Sequence, residues 1–412
     1  MKSCWMRRSF CSASRPGLIL ACVRSSRLST ERLRNMSTSR CSSRVASSLE
    51  GEWSTKQFYI EYNGFLSNHL SHGVIALDRL GVEEKRIGQF VRAYEKKLEP
   101  ASEHREDSED TLPKFGERKQ YYQLVDYYEK EIEVLGCDGA ITKHFEKMAH
   151  GLCGSAFHGL IHLGYGYAAG ANRLVAEGLA YLHHSVIPMS MDFEEWKRNG
   201  WETEIVDATS FDEYFDSIGK AVGSLPKAKL QVCLDEHLEF HRGSFQNRMR
   251  TISKFSLGDI DLAGKLVCSP PHAEWIVDAL MKLFVATCTK DSCDFFLLHG
   301  VTSAWALAQF LHLVPNKKYA HYCFMNAILG VYVVQGFKPV DTGRIIDTCD
   351  EAPNWDTIKA AILAEDRDEH AFKMLQIAYE RFHTTSQANP NMKPVHKQAA
   401  QEIPNLKYNF AP

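Results

Sequence analysis

Along residues 51–412 apolar side chains recur at intervals of three and four rather than at every second position, and this spacing predicts helices. Segments 66–80, 83–98, 119–135, 155–169, 172–186, 211–222, 259–267, 272–288, 294–312, 318–335, 355–364 and 367–383 carry the pattern, with Gly, Pro, Asn and Asp between them. Clean alternation is scarce, so the expected fold class is all-α, a single large helical domain over 51–412. The acidic stretch 100–118 predicts a solvated loop. Pro390, Pro394 and Pro404 predict a tail from Thr384 onward that is extended or wraps the surface. The longest apolar runs, Leu18 to Val23 and Ile328 to Val334, fall far short of the roughly 20 residues that cross a bilayer, so no transmembrane helix is expected.

Charge divides the chain. Net charge is −3 over 412 residues, yet residues 1–50 hold ten Lys or Arg against Glu31 and Glu50 alone. The remainder carries 38 basic and 49 acidic residues, a net of −11, which gives no basic face for nucleic acid. The first fifty residues interleave arginine with serine and apolar residues, the composition of a mitochondrial transit peptide. A disordered leader with initiation at Met36, and hence a cytoplasmic protein, is the alternative. Four of the 12 cysteines lie in this leader, and the others are scattered without a CxxC pair, which suits an intracellular compartment. Cys288 and Cys293, the closest pair in the body, read as buried thiols.

The chemistry must come from the 18 histidines. An imidazole buried without a partner costs on the order of 1–3 kcal/mol, so a histidine inside an apolar helix points to a purpose. Four segments meet that description. His72 stands beside Ile75 in a helix that opens with Asn68-His69-Leu70-Ser71. His158 and His162 lie one turn apart on one face, with Tyr165 following. His299 ends the run Phe295-Phe296-Leu297-Leu298, and His370 shares a face with Lys373. Four helices each presenting an inward histidine form a metal-site pattern, because neutral imidazole suits iron, zinc, copper or nickel.

Two motifs point elsewhere. Gly164-Tyr165-Gly166-Tyr167-Ala168-Ala169 matches a dinucleotide fingerprint, but such a turn must follow a strand, and residues 156–163 read as helix. His237 and His241, at helical spacing, could ligate zinc. They lack the glutamate of a metalloprotease motif and predict an exposed polar helix instead.

The sequence resembles the questin oxidase-like family. The resemblance rests on Tyr62-Asn63-Gly64-Phe65 with Asn68-His69-Leu70-Ser71-His72, on Phe157-His158-Gly159-Leu160-Ile161 with Ala176-Glu177-Gly178-Leu179-Ala180-Tyr181-Leu182, on Leu298-His299-Gly300-Val301-Thr302-Ser303-Ala304, and on Asp368-Glu369-His370 with Lys373. It spans about residues 57–385. The family implies an oxidoreductase that uses O2 to oxygenate or cleave an aromatic, quinone-like ring, sometimes described as NADPH-dependent and Baeyer–Villiger-like. Part of it is similar to non-haem iron enzymes whose metal is held by histidines and a carboxylated lysine. Carried over by motif, the ligands of an Fe(II) ion would be His72, His158, His299, His370 and Lys373. His162 stands where an arginine is expected.

A free ammonium has no lone pair for a cation, whereas a desolvated lysine can react with CO2 to give an anionic carbamate. The competing expectation pairs Lys373 with Glu369 on its own helix. His162, Tyr165 and Glu177 are candidate catalytic groups. Three functional classes follow: an iron oxygenase acting on a small aromatic substrate, with NADPH as a possible external reductant; a zinc hydrolase in the same site, with Glu177 as general base; and a scaffold whose histidines are structural. An NADPH-dependent Baeyer–Villiger-type monooxygenase without bound metal is a further alternative.

Overall fold

The computed structural model describes residues 41–105, 111–237, 244–349, 353–364, 368–385 and 391–407. The arginine-rich leader as far as residue 40 lies outside the described residues. Residues 41–50 are described. Ser43–Leu49 forms a helix, α1, that buries Val45 and Leu49, so the folded body begins before residue 51.

Apolar spacing of three and four residues produces what it should. Among the described residues the chain forms seventeen α-helices and two pairs of two-residue strands, an all-α fold. Helices α2 (Leu70–Arg79), α3 (His158–Ala169), α4 (Asn172–Ser185), α5 (Phe245–Gly264), α6 (Phe295–Phe310) and α7 (Glu369–Thr384) carry or surround the histidines. Strands β1 (Glu61–Tyr62) and β2 (Leu66–Ser67) pair antiparallel across Asn63-Gly64-Phe65, with Asn63 and Gly64 at positive φ (49° and 77°), a conformation these two residue types favour in tight turns. No helix of the described residues is long and apolar enough to cross a membrane.

Helix α3 is the hub, packed against α4 on one side and α6 on another. Close approach depends on glycine. A Cβ on Gly164 would stand 2.4 Å from the Cα of Ala306 on α6, and one on Gly178 of α4 would stand 2.4 Å from the Cα of Leu163. The glycines of the fingerprint-like stretch therefore serve helix packing, and the stretch lies inside α3, as its flanks predict.

Three expectations are corrected. The tail is not wholly extended: Met392–Gln401 forms a helix, α8, with Pro394 in its first turn, where a missing N–H costs nothing. Helix α5 runs from Phe245, well ahead of the expected start at 259. Cys288 and Cys293 are joined in a disulfide rather than free. His241 lies outside the described residues, while His237 stacks on Phe255 at 3.9 Å.

Candidate metal centre and active site

Four histidines reach one point from four directions. His69 occupies the N-cap position of α2, and its N–H donates to the Tyr94 hydroxyl at 3.2 Å. His158 is the first residue of α3 and follows three consecutive non-glycine residues in the left-handed region: Ser155 (φ 47°), Ala156 (φ 53°) and Phe157 (φ 65°). Each such residue costs about 1–3 kcal/mol, and such strain collects at functional sites. Here it turns the Ser155 carbonyl onto His158 Nδ1. His299 lies in the second turn of α6, which Asp294 caps by accepting the N–H groups of Phe296 and Leu297. His370 is the second residue of α7, capped in turn by Asp368.

The ring nitrogens define the chemistry. His299 Nδ1 donates to the Phe295 carbonyl at 2.8 Å, His370 Nδ1 to the Asp368 carboxylate, and His158 Nδ1 to Ser155. His69 Nδ1 lies 3.3 Å from Glu369 Oε1. An Nδ1–H held by a carbonyl or carboxylate leaves Nε2 as a bare lone pair. Those Nε2 atoms face one another, His69 to His158 at 2.6 Å, His158 to His299 at 3.2 Å and His299 to His370 at 3.1 Å. Protons do not resolve the repulsion, because burial drives His69, His158 and His299 well below their ordinary value and His370 to about 4. A cation does. The four donor atoms lie within 4.8 Å of one another, and the set can hold a metal ion. Bonds of about 2.1 Å place ligands about 3.0 Å apart at right angles and about 3.4 Å apart in a tetrahedron. The observed spacings of 2.6–3.2 Å are those of donors that one ion can bridge.

Lys373 sits beside this group. It is fully buried, its Nζ has no hydrogen-bond partner, and its charge bears on all four imidazoles and on His72. Burial lowers its basicity, opposed by Glu369 and Asp368.

The remaining expected residues form a separate chain. His72, expected as a ligand, is not in the convergent set: its Nε2 meets His162 Nδ1 at 3.0 Å, and its place beside His158 is taken by His69. His162 Nε2 meets Glu177 Oε2 at 3.0 Å. Glu177 Oε1 accepts from Arg173, from the Thr55 N–H and from the Thr55 hydroxyl at 2.7–2.8 Å. Burial would raise this carboxyl, but His162, Arg173 and Thr55 outweigh it and hold it below the ordinary carboxylate range. Tyr165 is buried and donates to Gln376 at 2.8 Å. None of His72, His162, Tyr165 or Glu177 lines the cavity described next.

A cavity of about 430 Å³ opens above the four histidines, whose side chains form part of its floor. Phe245 and Phe296 stack face to face at 3.9 Å in one wall, and Phe295 packs edge-on to both His299 and His370. Tyr62 and Phe65 from the hairpin complete the apolar lining, Phe65 being 58% exposed. A ring-shaped ligand fits such walls. Of the residues expected as ligands, His158, His299 and His370 converge here with Lys373 beside them, while His69 and the Nδ1 partners Ser155 and Asp368 were not among those expected. No curated protein matches the chain. Residues 66–378, about three quarters of the length, match the family model described as questin oxidase-like, and the chain therefore belongs to the questin oxidase-like family, which implies an oxidoreductase of the oxygenase kind acting on aromatic substrates.

Proposed function

We propose that His69, His158, His299 and His370 hold an Fe(II) ion and that the protein oxygenates a flat, quinone-like aromatic ring with O2 in the adjoining cavity. The observation that carries this reading is the convergence of four buried Nε2 atoms on the floor of an aromatic-walled cavity. Bound iron would supply the one-electron chemistry by which O2 reacts with a closed-shell ring.

The chain's own residues do the rest. Ser155, Phe295 and Asp368 fix three imidazoles in the tautomer that presents Nε2. Phe245, Phe295 and Phe296 exclude water and offer faces and edges to a planar ring. Lys373, as a free amine, adds to CO2 with loss of one proton, and the resulting carbamate oxygen balances part of the metal's charge that four neutral imidazoles leave standing. A hydrolase using the same histidines has less support, since Glu177, its general base, has both oxygens engaged away from the cavity.

Elemental analysis of the purified full chain, followed by oxygen uptake with a hydroxyanthraquinone, tests the proposal. About one iron per chain and uptake that stops on chelation is the expected result. Stoichiometric zinc without oxygen uptake would overturn it.

A further inference from the structure

The cavity holds a cation that the metal chemistry does not use. Arg248 lines the same cavity, and its Nε is buried with no hydrogen-bond partner among the described residues. Among the described residues no carboxylate lies within 4 Å of it. The acids nearest by position are occupied. Asp294, whose charge reaches Arg248, accepts the capping N–H groups of Phe296 and Leu297. Asp368 accepts from His370, and Glu369 lies 3.3 and 3.4 Å from the Nδ1 atoms of His69 and His370. A guanidinium keeps its charge, and its buried Nε–H, left unpaired, costs free energy, so an anionic acceptor entering the cavity is well matched to this position. Nearby, Gln246, with its amide oxygen turned toward them, accepts from Arg250 at 3.3 Å and from Arg118 at 3.0 Å, the latter paired with Glu61.

Two helical spacings give the position meaning. Arg248 stands three residues after Phe245 on α5, and His299 stands three residues after Phe296 on α6, so each pair shares a face. The two phenyl rings are stacked 3.9 Å apart with only 8° between their planes. The two faces meet at this stack, with Arg248 on α5 beside Phe245 and His299 on α6 beside Phe296.

Resting on the aromatic-substrate reading above, we propose that the substrate is an aromatic carboxylate, gripped at its carboxylate by Arg248 and lying along Phe245 and Phe296 so that the far edge of the ring meets the four histidines. The fork of Nε–H and its neighbouring Nη–H matches the two oxygens of a carboxylate, whereas a phenolate offers only one. Arg248 then sets which ring position reaches the metal, and neutral aromatics enter without a fixed orientation.

Calorimetric binding under anaerobic conditions separates this from the underlying reading, with anthraquinone-2-carboxylate and its neutral carboxamide as probes on the full chain. The unmodified protein should bind the carboxylate about tenfold to a hundredfold more tightly than the carboxamide. Arg248→Met should erase that preference while leaving carboxamide affinity within about twofold, which also reports that the cavity is intact. Arg248→Lys should keep part of it. Equal binding of both probes by the unmodified protein overturns the carboxylate proposal alone. A preference that survives Arg248→Met overturns it too, by assigning the carboxylate to the metal. Failure to bind either probe removes the aromatic-cavity reading and this one with it.

Discussion

Replacing His69 and His72 one at a time distinguishes two neighbouring imidazoles whose ring centres are only 5.5 Å apart. His72→Ala removes the partner of His162 Nδ1, and a buried nitrogen left unpaired costs about 1–3 kcal/mol, with a further cost for the void. It touches none of the convergent Nε2 atoms, so metal content should be unchanged. His69→Ala deletes one of four donors. In the chelated protein that substitution also thins a group of lone pairs crowded to 2.6–3.2 Å, so the metal-free chain should lose less stability than His72→Ala does. The metal itself adds about 4 kcal/mol to the unfolding free energy when free metal stands a thousandfold above its dissociation constant. Urea unfolding with and without a chelator, beside elemental analysis, reads both quantities. The expected pattern is a chelator-sensitive stability in the unmodified chain and in His72→Ala that vanishes in His69→Ala. Full metal in His69→Ala together with none in His72→Ala would refute the assignment drawn from the geometry and restore the one expected from sequence.

Asp368→Asn should weaken metal binding by about 10–100-fold, measured by competition with a chelator, because the carboxylate orients His370; unchanged affinity would remove Asp368 from that role. Gly164→Ala should destabilise by about 1–3 kcal/mol or more, since the new Cβ meets backbone atoms of Ala306 that cannot rotate away. Gly219→Ala, with nothing within 4 Å, serves as its control in the same denaturation assay and should be neutral or slightly stabilising. Stability should also fall with acid. Burial lowers His321 to about 3 and His184 to about 4, while both ordinarily titrate near 6.5 in an unfolded chain. The unfolded state therefore binds more protons below 6.5, and stability is lost as pH falls from 6.5 toward those values. The two histidines contribute about 2 kcal/mol each of that loss at pH 5. Equal urea midpoints at pH 7 and pH 5 would contradict it.

The fold was legible where one apolar stripe ran unbroken. In 294–312 and 318–335 the stripe wraps the whole helix, and both segments are buried almost throughout. The misses have local causes. In α5 the buried residues Phe245, Met249, Ile252, Ile260 and Ala263 keep helical spacing, but Ser253, Ser256 and Gly258 interrupt it and mimic a loop. In α8 Pro394 reads as a breaker although it occupies the first turn, the one place a helix tolerates it. The hidden beginning of the body at α1 has a third cause: a seven-residue helix with two buried apolar residues, Val45 and Leu49, is too short to show periodicity against an arginine-rich background.

The site was half legible for a reason that concerns register rather than burial. His69 and His72 are 5% and 1% exposed, so the rule that an inward histidine has a purpose selects both and ranks neither. The pattern that separates them is joint. One segment offers histidines three apart at 69 and 72, the facing helix offers histidines four apart at 158 and 162, and two such pairs on packed helices meet one to one. Pairing His158 with the metal leaves His162 for whichever partner remains, and a single ligand taken from the first pair must then be the one opposite His158. The structure matches 69 with 158 and 72 with 162. What selects that register lies outside both pairs. Tyr94 accepts the His69 N–H, and Glu177 draws His162 toward Arg173 and Thr55. Those contacts join residues 25 and 15 positions apart in the chain, respectively, and nothing in the spacing of the histidines themselves encodes them. The decision between ligand and supporting residue is therefore made by second partners, which is why it became visible only when the helices were packed.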